Sequence, residues 1–139
     1  MSETFRFEIY TPYRLFYTGE VQGLTLTLID GEIGIYAHHS PFVAPFITSV
    51  LRIKNAKGDW EAAFISDGII EVKKTKTILL ADSANWPNEI DIDRVLIAQK
   101  KAEAVLKEES FKFEITQAKK DLLRATVRRQ VHEMSLPGS

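Results

Sequence analysis

Residues 77–105 read TILLADSANWPNEIDIDRVLIAQKKAEAV, and the hydrophobic period changes inside this stretch, close to Pro87. Before Pro87, apolar residues alternate with polar ones, as at Phe5, Phe7, Ile9, Leu24, Leu26 and Leu28. After it, apolar residues recur every three or four positions, at Val95, Ala98, Ala102 and Val105. Because alternation is typical of strands and the longer spacing of helices, we predict a sheet domain over 1–87 and a helical part over 88–139.

Short turns separate the strand candidates that precede Pro87. The candidates are 4–10, 13–17, 21–29, 50–54, 60–66, 69–73 and 77–81. Many short strands at this spacing favour an all-β sandwich or barrel. Gly58 supplies a residue that tolerates positive φ in the turn 56–59, and Asp67-Gly68 predicts a short hairpin between two strands.

Glycine and proline shape the segment between the third and fourth candidates. Gly31 and Gly34 predict a tight turn before Ile35. Pro41 and Pro45 disfavour a central strand over 40–47, because proline has no N–H to donate to a sheet ladder. The segment is therefore predicted to be an extended loop or edge segment with Phe42 and Phe46 exposed.

Asp91 is a good N-cap for a first helix that runs to about Glu108. A turn over 108–110 reverses the chain, and a second helix runs from Lys112 to Glu133, ended by Pro137 and Gly138. Ala98 and Ala102 are expected to face Ala118 and Ala125, so that the two helices approach closely and bury little area. Such a hairpin could open, although the pattern alone favours a hairpin that stays closed.

Composition indicates the cellular compartment and the partners to expect for this 139-residue chain. Its formal net charge is -1, and it has no cysteine. The lack of cysteine gives no sign of an oxidising compartment and suits the cytoplasm. No apolar run approaches the roughly 18 residues that span a bilayer, so membrane association is expected only through a partner. Nothing in the charge balance favours a nucleic-acid partner.

The second helix concentrates positive charge. Its basic face is predicted to comprise Lys119, Lys120, Arg124, Arg128 and Arg129. The pattern alone leaves two interpretations open: a solvated surface, or a surface that docks on an acidic protein or on a nucleotide.

No constellation of residues supports catalysis or metal binding. His38 and His39 are adjacent, and neighbours on an extended chain point to opposite sides, so no metal site is expected. Ser40 beside His39 lacks the third group that orients a catalytic base, and the chain is therefore not expected to be an enzyme. Without a glycine-rich phosphate loop, a nucleotide would have to contact Arg94, Arg124 and Arg128, whose guanidinium groups suit phosphate and carboxylate equally.

Several short segments together resemble one known family. They are Thr11-Pro12, the Gly-Glu-Ile-Gly-Ile-Tyr-x-x-His-x-Pro run from Gly31 to Pro41, Val50-Leu51-Arg52-Ile53, residues 66–72 and 80–84, and Ile90-Asp91-x-x-Arg94. Over nearly its whole length the chain resembles the epsilon subunit of the bacterial or chloroplast F-type ATP synthase, which corresponds to delta in mitochondria. The resemblance implies an α+β fold, with an N-terminal antiparallel β-sandwich followed by a C-terminal antiparallel two-helix hairpin.

The resemblance also implies a non-catalytic rotor subunit, peripheral at the cytoplasmic face of the bacterial plasma membrane rather than at the thylakoid. In the family the sandwich binds the gamma subunit and sits on the c-subunit ring, while the hairpin is regulatory. It extends along gamma towards the alpha/beta catalytic head and restrains ATP hydrolysis. Glu32, Gly34, His39 and Phe42 are the residues of this chain expected at the c-ring and gamma contact.

Some bacterial members of that family bind ATP in the folded hairpin as a regulatory ligand. The matching residues here are Ile90, Asp91, Arg94, Arg124 and Arg128. Val95 stands where the motif has alanine, and Asn85 stands where the nucleotide-binding members have glutamate. These departures predict weak ATP binding or none, and no cofactor is expected.

A second function remains open from the residues alone. A free-standing sandwich with a mobile hairpin could sense a nucleotide or another ligand without any larger assembly. Co-purification with a membrane-bound ATPase separates the two hypotheses, because only the rotor subunit should be recovered with one.

Overall fold

The computed structural model describes residues 3–108 and 112–134. The turn predicted over 108–110 and the helix end predicted at Pro137 and Gly138 therefore lie, apart from Glu108, outside the described residues. The chain divides into two compact units, Met1–Ala84 and Asn85–Ser139, close to the boundary predicted at Pro87.

The first unit is built from strands, and the second contains two helices, as the predicted α+β class requires. The strands are β1 (Phe5–Tyr10), β2 (Leu15–Leu28), β3 (Gly31–Tyr36), β4 (Phe42–Phe46), β5 (Ser49–Asn55), β6 (Trp60–Ile65), β7 (Gly68–Val72), β8 (Lys76–Ala81) and β9 (Ala84–Asn85). A single 3-10 turn, Pro87–Glu89, leads to the helices α1 (Ile92–Lys107) and α2 (Lys112–Met134).

The long strand β2 joins the two layers of the sandwich. Its first half pairs with β1, and its second half pairs with β3 on one side and β5 on the other. The hydrogen-bonded order runs β1-β8-β7-β4-β2-β5-β6, and β1 also pairs with β2, which closes one side of the sandwich. The β1–β8 pair is parallel, whereas the antiparallel arrangement that was predicted holds for the pairs of β2 with its neighbours.

Alternation along the strands places the core as predicted. Phe7 and Ile9 are fully buried, and Leu24 and Leu26 expose no more than 1% of their surface. Burying each such side chain contributes about 1.5–3 kcal/mol. The core is completed by further fully buried residues, among them Ile35, Leu51, Ile53, Phe64, Ile70 and Leu79.

The tight turn predicted between Gly31 and Gly34 is wrong. Leu28 pairs directly with Gly31, so the turn consists of Ile29 and Asp30, and Gly34 lies inside β3 opposite Thr25. Gly31 has a φ of 132°, a conformation that glycine adopts without steric cost. The Asp30-Gly31 pair was the turn signal, and the two-residue loop is the form that most often joins antiparallel strands.

The segment predicted to be a loop or edge, 40–47, contains strand β4. It pairs with β7 from Phe42 to Phe46 and with β2 only at Leu28, so most of its other side has no paired strand. That open side tolerates Pro45, which has no N–H to donate. The exposure predicted for Phe46 is wrong, because the side chain packs into the core with 2% of its surface exposed. Phe42 is half-buried.

Asp67-Gly68 does not form the predicted hairpin. β6 pairs with β5, whereas β7 pairs with β4 and β8, so the chain crosses between layers at Ser66 and Asp67. Thr48 donates from its backbone N and its Oγ1 to Asp67 Oδ1, at 3.0 and 2.9 Å. Ser66 N donates to the Ser83 carbonyl at 3.0 Å. These contacts with distant residues, rather than local turn chemistry, fix the crossover.

The helices begin where the sequence predicts. Asp91 is the N-cap of α1, and its side chain accepts a hydrogen bond from Arg94 N. Ala102, Ala118 and Ala125 are buried at 3–4% exposure, which confirms their place on the inner faces, but Ala98 is exposed. Among the described residues, neither helix combines the length and the apolar character needed to cross a bilayer.

Candidate functional site

The predicted contact residues Glu32 and Gly34 lie on one exposed face of β3. Glu32 follows the Ile29-Asp30 turn and pairs with Thr27. A Cβ on Gly34 would lie 3.2 Å from Cε2 of Tyr36, whose half-exposed ring covers this part of the strand. A side chain at this position would therefore displace the Tyr36 ring by a few tenths of an ångström.

His39 and Phe42 form a second cluster, in and after the loop 37–41. The His39 backbone N donates to the Tyr36 carbonyl at 3.2 Å, and its ring lies 5.2 Å from the Phe42 ring, centroid to centroid. Neighbouring His38 has a φ of 67° and pairs with the carboxylate of Glu3. The adjacent histidines thus have different partners.

The two pairs of residues lie at opposite ends of β3. Glu32 lies at the end of β3 where β2 turns, and four residues of extended chain, about 13 Å, separate it from Tyr36 and the loop that carries His39. The sequence interpretation missed Ile29 at the tip of the turn, which exposes 72% of its surface. An apolar residue directly before Asp-Gly was the available signal.

The second unit contains a cavity between α1 and α2 with a volume of about 840 Å³. All five residues matched to the nucleotide motif contribute to its lining: Ile90, Asp91, Arg94, Arg124 and Arg128. Ala98, Ala102, Ala118 and Ala125 also line it, because small side chains leave space between the helices. The volume falls within the range of small-molecule sites.

Asn85 and Arg128 are hydrogen-bonded at this cavity. Arg128 Nε donates to Asn85 Oδ1 at 3.2 Å, and both residues line the cavity. The pKa of Arg128 is lowered, first by burial and second by the nearby charge of Arg124. The sequence interpretation treated Asn85 only as a departure from a motif, since a contact across 43 positions has no local signal.

The charges of the cavity lining are mixed. The basic members are Arg94, Lys101, Arg124 and Arg128, and the acidic members are Glu89, Asp91, Glu108, Glu114 and Asp121. Asp91 is already engaged as the cap of α1, and Glu89 Oε1 accepts from Trp86 N at 2.8 Å. Among the described residues that line the cavity, five acids stand against four bases, so this part of the lining is not strongly positive.

The five residues predicted as one basic face are divided by the structure. Arg124 and Arg128 line the cavity and are partly buried. Lys119, Lys120 and Arg129 are exposed and do not line it. Arg129 Nε contacts Glu133 Oε1 at 3.1 Å, one turn further along α2. The five side chains therefore do not share one face of α2, because their positions are spread around most of the helix.

Within residues 3–108 and 112–134, no group of three or more histidine, aspartate or glutamate side chains is placed to hold a metal ion.

Known proteins are similar to this chain over both of its units. The β-sandwich domain of the ATP synthase delta/epsilon chain matches residues 4–87. An ATP synthase epsilon chain from Caldanaerobacter subterraneus is 39% identical over 94% of this chain and 95% of its own length. One from Caldicellulosiruptor bescii is 43% identical over 75% of both chains.

The chain belongs to the ATP synthase delta/epsilon family. Chains of this family are accessory, non-catalytic subunits of ATP synthase. A chain in the structure of the Euglena gracilis mitochondrial ATP synthase superposes with a TM-score of 0.81 over 91% of this chain and 80% of that one. At 18% identity, this likeness shows the fold alone.

Proposed function

We propose that this delta/epsilon chain is the epsilon-type subunit in the rotor of an F-type ATP synthase. The sandwich binds the gamma subunit and the c-subunit ring, and the helical hairpin acts on ATP hydrolysis by the alpha/beta head. The observation that carries the proposal is the 39% identity to an ATP synthase epsilon chain across both units, 94% of this chain. The subunit is peripheral, at the cytoplasmic face of a bacterial plasma membrane.

Reconstitution tests this function. Membranes carrying an ATP synthase depleted of this subunit should regain ATP-driven ion pumping when the purified chain is added. Removal of residues 88–139 should leave the pumping and raise ATP hydrolysis. A chain that neither binds the depleted membranes nor restores pumping would contradict the rotor assignment and favour the free-standing sensor.

Gly34→Val is expected to impair this coupling without unfolding the chain. The valine Cβ would lie 3.2 Å from the Tyr36 ring, which must move and so changes the surface beside Glu32. The ring is half-exposed and can shift, so the free energy of unfolding should fall by only about 1–2 kcal/mol. ATP-driven pumping by reconstituted membranes is the measurement.

Gly19→Val is the matched control, because its Cβ would lie 3.3 Å from the hydroxyl oxygen of Tyr17. It introduces similar crowding on a different part of the sandwich. If both variants reduce pumping equally, the effect reflects strain in the sandwich, and Gly34 has no special place in the contact.

Replacement of Lys119, Lys120 and Arg129 by alanine is expected to relieve inhibition of hydrolysis. All three side chains are exposed, although Arg129 also pairs with Glu133, and attraction of such cations to an acidic surface of the catalytic head weakens as salt increases. We expect a several-fold weaker inhibition at low salt, and a smaller salt dependence than in the parent chain. The measurement is the ATPase rate of the reconstituted complex against subunit concentration.

Alanine at Lys54, Lys57 and Lys74, all on the sandwich, removes the same three positive charges and controls for their loss. Equal inhibition by the α2 variant and the parent chain at low salt would leave these cations as a solvated surface.

Calorimetric titration of the isolated chain with ATP is expected to show little or no saturable heat. The cavity has room, but within the described part of the chain its lining carries five acidic side chains against four basic ones, and a polyanion gains little from such a surface. We expect a dissociation constant above about 0.1 mM. A strong saturable heat that disappears in Arg124→Ala and in Arg128→Ala would contradict this expectation.

A further inference from the structure

The dipeptide Asp-Gly occurs twice in the chain, at Asp30-Gly31 and at Asp67-Gly68. In such a dipeptide the backbone nitrogen of glycine can attack the side-chain carboxyl group of aspartate, because no Cβ on the second residue blocks the approach. The product is a five-membered cyclic imide. The two copies have different surroundings, and these surroundings determine which copy can react.

Asp67-Gly68 is held in a geometry that hinders the reaction. Asp67 Oδ1 accepts hydrogen bonds from Thr48 N and Thr48 Oγ1, at 3.0 and 2.9 Å, so the carboxylate can reach the following nitrogen only after these bonds break. Gly68 is confined as well, since a Cβ built on it would lie 1.8 Å from the Leu80 carbonyl oxygen. A ring at this position would need space that the backbone of β8 occupies.

Asp30-Gly31 lies at the turn between β2 and β3, and both residues are exposed. Within residues 3–108 and 112–134, the Asp30 carboxylate has no hydrogen bond or ion pair. In the same part of the chain, apart from the adjacent residues, nothing lies within 4 Å of the place that a Cβ on Gly31 would occupy. The Asp30 side chain can therefore turn towards the Gly31 nitrogen, and a ring has room to form.

The Gly31 nitrogen can become available while the sheet stays folded. Leu28 and Gly31 form the last pair of the β2–β3 ladder, next to the turn, and β3 pairs with no other described strand. Exposed ends of a structure open at a free-energy cost far below that of global unfolding. Gly68, in contrast, is paired on both sides, with Phe46 and with Ala81, so its release requires strands to separate.

We propose that Asp30-Gly31 is a site of spontaneous covalent modification, at which aspartate is converted to isoaspartate. The lone pair of the Gly31 nitrogen forms a bond to Cγ of the protonated Asp30 carboxyl group, and the hydroxyl group leaves with the proton of that nitrogen as water. Water then adds to one of the two imide carbonyl groups and breaks its bond to nitrogen. Addition at Cγ restores aspartate, whereas addition at the main-chain carbonyl gives isoaspartate, whose backbone runs through Cβ and Cγ.

This inference goes beyond the proposed function and does not depend on it, because the reaction needs only water and the dipeptide in these surroundings. The modification changes the turn itself. Isoaspartate adds one atom to the main chain and leaves its carboxylate on Cα. The loop between Leu28 and Gly31 holds only two residues, and loops of this length accept few backbone geometries. The added atom must therefore open the Leu28–Gly31 pair or displace Ile29 and Glu32.

Incubation of the purified full chain in mildly acidic buffer tests the proposal. Isoaspartate is quantified by methyl transfer from S-adenosylmethionine with a protein isoaspartate methyltransferase, and it is located by electron-transfer fragmentation of peptides. In the folded chain we expect isoaspartate at position 30 to form at least about tenfold faster than at position 67, where hydrogen bonds and strand pairs must first break. In guanidinium chloride the two positions should react at similar rates.

Asp30→Glu is the matched control, because it keeps the negative charge but would have to close a larger ring. The methyl-transfer signal of the folded chain should fall to the background level in this variant. If the folded parent chain forms no isoaspartate at position 30 while the denatured chain is converted, the turn protects the dipeptide and the inference is overturned. Equal rates at positions 30 and 67 in the folded chain would also overturn it.

The effect on the turn is measured by amide NMR spectra of the chain before and after incubation. New peaks are expected for Ile29, Gly31 and Glu32, in proportion to the isoaspartate found, while the peaks of core residues such as Leu24 stay in place. Unchanged peaks over residues 29–32 in a converted sample would overturn the displacement of the turn.

Discussion

Gly68→Ala is expected to destabilise the sandwich by about 3 kcal/mol or more, a large part of the stability of a small domain. A Cβ at this position would lie 1.8 Å from the Leu80 carbonyl oxygen and 2.7 Å from Cζ of Phe46. The oxygen belongs to the backbone of β8 and cannot rotate away. Because Gly68 pairs with Phe46 on one side and Ala81 on the other, relief of the clash must separate β7 from a neighbour.

Urea denaturation of the full chain measures this effect. Gly19→Ala is the control, because its added Cβ would meet only the end of the Tyr17 side chain, at 3.3 Å. We expect a change below about 1 kcal/mol for the control. An equally small change for Gly68→Ala would mean that β7 and β8 can move apart without cost, contrary to the close packing seen here.

Asp67→Ala is expected to lower the free energy of unfolding by about 3 kcal/mol. Asp67 lies in the same crossover as Gly68, but here the loss comes from hydrogen bonds rather than from a steric clash. It removes the acceptor of the hydrogen bonds from Thr48 N and Thr48 Oγ1, at 3.0 and 2.9 Å. Thr48 exposes 3% of its surface, so water cannot readily replace the lost acceptor. Each hydrogen bond to a charged group contributes about 1.5–3 kcal/mol, and an unsatisfied buried donor adds a penalty.

Asp67→Asn separates charge from geometry, because the amide keeps an acceptor oxygen of the same reach. We expect it to lose less than half as much stability as Asp67→Ala in the same urea experiment. If the two variants were equally unstable, the negative charge of Asp67, rather than the satisfaction of Thr48, would hold the crossover together.

Residues whose role depends on their immediate neighbours were predictable from sequence. Phe7 and Ile9 were placed in the core by alternation, and Asp91 was placed as an N-cap by its position before a helical stripe. Asp67-Gly68 was misread because its local composition is that of a turn. Its actual use, a crossing between layers next to the Leu80 carbonyl, depends on which strands β7 pairs with.

The features of the candidate site also fall into those that the sequence predicted and those that it could not predict. The five motif residues from Ile90 to Arg128 do line one cavity, because helical spacing places Arg124 and Arg128 on one side of α2. The hydrogen bond from Arg128 to Asn85 and the mixed charge of the lining could not be predicted, since both depend on packing between distant segments. The distance between Glu32 and His39 could not be predicted either, because the sequence was interpreted to place a turn between Gly31 and Gly34, where the structure has strand β3.

The fourteen residues of β2 give the sandwich a particular mechanical response. Pulling along this strand loads its ladders with β1, β3 and β5 in shear, so that many hydrogen bonds resist together and cannot be peeled apart one at a time. Stiffness of this kind is what the rotor role proposed above requires of the sandwich. All of these ladders lie within the first unit, so the resistance to shear is a property of the sandwich by itself.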